Sequence, residues 1–216
     1  MDFEILAPLF SNRWKQKYQA VLAEEHLKAI QENIRKFKNG TLDWDLPFFT
    51  EEEIEADRKE SFSRFISILE SAKSDQLKAK SLEEIPFEHW LNVLGQRLTS
   101  ASLRDENAVP PIRKILIEAC EQLFNNEITV AQRAWEKHAG RMEDCFWGEV
   151  NGNNQQKQQM VMEKIRNILD HKTWWNIFFH YKHGLVYEVR EKEGHGIRWG
   201  QGGILFIGFL ENFGNE

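Results

Sequence analysis

The sequence predicts a mainly α-helical protein, a bundle of about six or seven helices with a small three-stranded antiparallel β-sheet at the C-terminus. Three observations carry that expectation. Apolar residues recur at steps of three and four along most of the chain, the rhythm changes to alternation near Gly184, and glycine-rich turns punctuate the last thirty residues or so. All 216 residues are expected to form a single domain. If there are two halves, they divide near residues 100–111, and the β-meander occupies 185–210.

From Asn12 to Lys38, the residues Trp14, Tyr18, Val21, Ala23, Leu27, Ile30, Ile34 and Phe37 predict one long amphipathic helix stopped by Asn39-Gly40. Its polar face mixes both charge signs, which fits a solvated face better than a membrane-surface helix. Thr41 to Phe49 is an aromatic loop with Trp44, Phe48 and Phe49. Thr50 and Glu53 then form a capping-box pattern for a helix that runs to about Lys73 and turns Phe62, Phe65, Ile66 and Leu69 inward. Ser74 to Lys80 is a polar link. A helix from about Pro86 to Leu98 carries Phe87, Trp90, Leu91 and Leu94, with His89 beside its apolar face as a packed or surface histidine.

Thr99 to Pro111 is the best linker, closed by two prolines that cannot continue a helix. Ile112 to Leu123 and Thr129 to about Met142 follow as amphipathic helices. Asn151 to Gln159 is a polar connection into a helix with Met160, Val161, Ile165, Ile168 and Leu169. Trp174, Ile177, Phe178 and Tyr181 are spaced three, one and three apart, which predicts a buried helix over Thr173–His183 around which the others pack, with Gly184 as its left-handed cap. Leu185 to Arg190 alternates as a half-buried strand, and turns at Gly194-His195-Gly196 and Gly200–Gly203 give two more. The last strand, Ile204 to Leu210, is apolar on both faces and so needs a second cover, such as a partner subunit.

Composition excludes several classes. The net charge of −6 is spread over both halves, with 15 basic and 19 acidic residues up to Asp105 and 13 and 15 after it, so nucleic acid is an unlikely partner. Single-stranded binding through Arg198-Trp199 is disfavoured on the same ground. Cys120 and Cys145 form neither a disulfide scaffold nor a metal spacing, and read as thiols in a reducing compartment. With neither a secretory signal nor an apolar run of roughly 20 residues, the expectation is a soluble, cytoplasmic protein without a membrane partner.

Chemistry-bearing residues concentrate near the C-terminus, where His180, His183, Glu188, Arg190, His195, Arg198 and Trp199 lie within twenty positions. Arg190 and Arg198 with His195 could grip a phosphate or carboxylate while Trp199 stacks on a ring. The competing explanation is that both arginines pair with Glu188 and Glu191 across the sheet. His180 and His183 lack the spacing of a zinc helix, so no metal and no cofactor is expected. A second ridge, Arg133, Lys137 and Arg141, could hold an anion but also fits a solvated face. Phosphate-loop, nucleophile-elbow and dinucleotide signatures are absent. The function expected from these residues is a non-enzymatic interaction or scaffolding protein, self-associating or partnered. The alternative is anion binding or a metal-dependent enzyme built on the His180–Trp199 cluster.

Overall fold

In a computed structural model, the described residues are 3–43, 53–54, 58–139 and 146–212. They divide into two compact units, with the boundary between Val109 and Pro110.

The first unit holds α1 (Phe3–Leu6), α2 (Asn12–Tyr18), α3 (Glu24–Lys38), the two-residue strand β1 (Glu53–Ile54), α4 (Arg58–Ser71), α5 (Asp75–Glu83), α6 (Phe87–Leu94) and β2 (Leu98–Thr99). The long helix expected from Asn12 is broken by a 3-10 turn at Gln19–Leu22, after which Ala23 leaves the helical region at ψ 139. Buried His26 stabilises the break, its Nδ1 lying 3.0 Å from the Ala20 carbonyl, which also accepts the Ala23 N–H at 3.3 Å. Ser74, placed in a link by the sequence, instead caps α5 by accepting the Leu77 N–H at 3.3 Å. Trp90 is fully buried at the centre, with Phe65, Trp14 and Phe10 ring centroids 5.0, 5.1 and 5.7 Å away. Glu53 does not serve a helix cap. It pairs with Thr99 across β1–β2 and its carboxylate accepts Arg97 at 2.5 and 2.8 Å. Thr50 and the aromatic loop residues Trp44, Phe48 and Phe49 lie outside the described residues.

The second unit holds α7 (Arg113–Glu121), α8 (Val130–Ala139), α9 (Asn154–His171), β3 (Trp174–His180), β4 (Gly184–Arg190), β5 (Gly196–Gly200) and β6 (Leu205–Leu210). A capping box between Asn153 and Gln156 starts α9 inside the stretch expected to be a connection. The described residues thus contain nine α-helices and a four-stranded antiparallel sheet in the order β3-β4-β5-β6, a mixed α/β architecture rather than a helical bundle with three strands.

The extra strand is the segment expected to be the central helix. Trp174 to His180 is apolar on both sides at its start, so its residues satisfy a three-and-four spacing and a two-residue alternation equally well, and pairing with β4 decides between them. Gly184 keeps the left-handed conformation expected of it, φ 69, but uses it to close the β3–β4 hairpin. One sheet face presents Trp175, Ile177, Tyr187, Val189, Ile197, Trp199 and Phe209, all buried, toward the helices, and Trp199 donates its indole N–H to the Leu116 carbonyl of α7 at 3.2 Å. Burial of each such side chain contributes about 1.5–3 kcal/mol. On β6, Phe206 and Phe209 are buried while Leu205 stays 43% exposed, so the strand is not sealed on both sides.

Gly196 marks the tightest approach within the sheet. A Cβ there would overlap the Val189 carbonyl oxygen and stand 2.8 Å from Arg190 Cγ. Gly196→Ala is expected to destabilise the second unit by roughly 3 kcal/mol or more, read as a lower urea midpoint. An unchanged midpoint would show that the strands can part without cost.

Candidate functional site

Alternation puts Asn176, Phe178 and His180 of β3, Glu188 and Arg190 of β4, and Arg198 of β5 on the face opposite Trp199. Asn176, Glu188, Arg198 and Gly208 form one row across all four strands. At its centre Glu188 is fully buried. Its Oε1 accepts Arg190 Nε at 2.6 Å, and its Oε2 accepts Arg198 Nε at 2.7 Å and Nη2 at 2.6 Å. One carboxylate is thus shared by two guanidiniums where solvent screening is weak.

The two arginines are not equivalent. Arg190 is fully buried, and its Nη1 donates to the Gly194 carbonyl at 2.8 Å and the Glu211 carbonyl at 2.6 Å, so it ties β4 to the β4–β5 turn and the end of β6. Arg198 keeps 14% of its side chain exposed, and Glu188 is its only side-chain hydrogen-bond partner among the described residues. Its guanidinium sits 5.8 Å from the Phe178 ring centroid. The outward edge of Arg198 is therefore oriented, charged and open to an anion.

His180 ends β3 on this face. Its Nδ1 accepts the Lys182 backbone N–H at 3.2 Å, which leaves the ring proton of the neutral form on Nε2. Burial and the neighbouring Arg198 and His183 charges hold its pKa below the usual histidine value, with Glu188 opposing. The His183 ring stacks on His180 at 4.9 Å, and its own ring nitrogens have no hydrogen-bond partner among the described residues. The two histidines stack at a hairpin tip, not at the end of the helix expected over Thr173–His183.

The other singled-out residues do not join them. His195 belongs to the turn at the far end of β4, about 20 Å along a seven-residue strand. There it is buried, stacked on Phe146 at 3.7 Å and near Glu211. Trp199 is core. Of the ridge, Arg133 lies over the Phe124 ring at 4.2 Å, Lys137 is exposed on α8, and Arg141 is outside the described residues, as is Cys145. Burial pushes the Cys120 thiol up to about 12, so it is not a nucleophile at neutral pH.

Sequence reasoning missed a second polar cluster on the helix-packed face. His138 of α8 pairs through Nδ1 with Glu211 Oε1 at 2.7 Å, and Trp147 Nε1 donates to both Glu211 oxygens at 3.1 Å. His138 and Glu211 are 73 positions apart, so no local spacing connects them. Glu191, Glu193 and His195 offer ligand atoms within 4.8 Å of one another and could hold a metal. Glu191 Oε1, however, is already engaged in the turn, accepting the Glu193 N–H at 2.9 Å and the His195 N–H at 3.3 Å. Among the described residues no helix is long and apolar enough to cross a membrane.

A family model described as the CdiA C-terminal tRNase toxin domain matches residues 117–211, less than half of the chain. Searches among curated proteins and among solved structures give no match. The matched family is one of nucleases, and this overturns both the expectation of a non-enzymatic scaffolding or protein–protein interaction protein and that of nucleic acid as an unlikely partner. The earlier inference failed because it counted charge over each half of the chain. What bears on a phosphodiester is local, and two arginines gather at Glu188.

Proposed function

We propose that the second unit is a ribonuclease that cleaves tRNA, with its catalytic centre on the Arg198 face of the sheet. The observation that carries this reading is the family match over 117–211, a span that contains every residue of that face. The geometry supplies the chemistry. RNA brings its own nucleophile, the 2′-hydroxyl, so the protein must position a phosphodiester, take one proton and stabilise a phosphorane.

In this reading Arg198, held by Glu188, grips the non-bridging phosphate oxygens, and the His180 Nε2–H donates to one of them. His183 takes the 2′-hydroxyl proton on a ring nitrogen. The bond that forms joins the 2′ oxygen to phosphorus, the P–O5′ bond breaks, and the 5′ oxygen takes a proton from solvent.

The test is incubation of the full chain with total tRNA, followed by gel electrophoresis. Discrete fragments that disappear with His183→Ala support the reading, and intact tRNA from folded protein overturns it. A second reading makes His138 the proton acceptor, favoured by its 2.7 Å bond to Glu211, which would orient the ring as a carboxylate orients a catalytic histidine. Retained cleavage in His183→Ala and its loss in His138→Ala would select it.

A pH dependence follows from His180. Protonation breaks its bond from the Lys182 N–H, and the neutral form is favoured in the folded protein. The acid limb of kcat/KM is therefore expected below the ordinary histidine pKa of about 6.5. The sign for stability is the same, since the unfolded chain binds the proton more readily and acid weakens the fold as pH falls through that range. Because His183 as proton acceptor contributes an acid limb of its own, the test is the shift: an acid limb whose position His180→Asn does not change would contradict the role given to His180.

A further inference from the structure

The β3–β4 hairpin tip carries three rings in series. Tyr181 stacks on His180 at 4.8 Å and 30°, and His180 stacks on His183 at 4.9 Å and 25°. Tyr181 is 85% exposed, so the outer end of the series is open to solvent. Lys182 Nζ stands 5.2 Å from the Tyr181 ring centroid, and Arg198 acts on His180 from the sheet. Among the described residues, the carboxylate that acts on His180 is Glu188, which is fully buried and paired.

We propose that this tip is the platform on which the enzyme of the preceding section receives single-stranded RNA, so that it selects unpaired loop nucleotides over duplex. An unpaired base stacks on the exposed Tyr181 ring in place of Lys182 Nζ, which lies over it, and the displaced ammonium pairs with the attached phosphate. Stacking on an exposed ring needs a base with a free face, and a base inside a duplex already has both faces covered. Tyr181 is a binding residue here and takes no part in the chemistry.

The test uses the full chain and an uncleavable probe, a fluorescent 2′-O-methyl RNA of about ten nucleotides, read by anisotropy as a single strand and as the same sequence in a blunt duplex. The wild type is expected to prefer the single strand, Tyr181→Ala to lose about 10-fold or more on it with little change on the duplex, and Tyr181→Trp to restore the preference. Equal binding of both forms, or a Tyr181→Ala protein that keeps the preference, overturns the platform. Because the probe cannot be cut, a Tyr181-dependent preference without tRNA cleavage would leave the platform standing and remove the ribonuclease.

Discussion

Replacing Arg198 with alanine is expected to lower tRNA cleavage by about 10²- to 10³-fold, the usual cost of removing one preorganised donor aimed at developing charge. The expectation rests on how the residue is held. Glu188 fixes the guanidinium through two bonds to one oxygen, so the charge is in place before a substrate arrives and pays little to reorganise. Arg198→Lys keeps the charge but loses the planar fork, and is expected to recover only part of the activity. Stability should change much less than activity, because Glu188 retains Arg190. Cleavage rates and urea midpoints of both variants check this, and a fully active alanine variant would move the phosphodiester elsewhere on the molecule.

Replacing Glu188 with glutamine has the opposite signature. Its carboxylate holds two guanidiniums, one of them wholly buried, and replacing it with a neutral amide removes the charge that both are paired with in a region of weak screening. Breaking such a cluster from one side costs about 3–5 kcal/mol, a large share of a small unit's stability. The variant is expected to unfold at a clearly lower urea concentration, and any cleavage it retains should fall through a misplaced Arg198. A glutamine variant as stable as the wild type would mean that the arginines find other partners at no cost.

Much of this arrangement was legible in the residues, for reasons that can be named. Glu188, Arg190 and Arg198 alternate with Leu185, Tyr187, Val189, Ile197 and Trp199, and a two-residue period is enough to put the charged set on one face. The ion pairing of Glu188 with both arginines follows from that register. The segment from Trp174 to His180 was not legible, because a stretch apolar on both sides carries no usable period, and Gly184 serves a helix cap and a hairpin equally well. Tertiary pairing with β4 decided what local pattern left open.

The catalytic reading was illegible for a different reason. Phosphodiester chemistry on RNA needs no metal-ligand spacing and no nucleophile motif, since the substrate supplies the attacking oxygen, and oriented charge does not appear as a signature in a linear sequence. The His138–Glu211 pair was hidden by distance alone, as α8 and the end of β6 meet only once the sheet has formed. His195 illustrates the converse error, since fifteen positions from His180 became opposite ends of a strand.

The nature of the cut ends bears most directly on the claim that the Arg198 face drives attack by the 2′-hydroxyl. Fragments from wild-type cleavage of tRNA are expected to carry a 2′,3′-cyclic phosphate on the upstream piece and a free 5′-hydroxyl on the downstream one. Upstream fragments ending in a 3′-hydroxyl, with phosphate on the downstream 5′ end, would contradict it, because water and not the ribose would then have been the nucleophile.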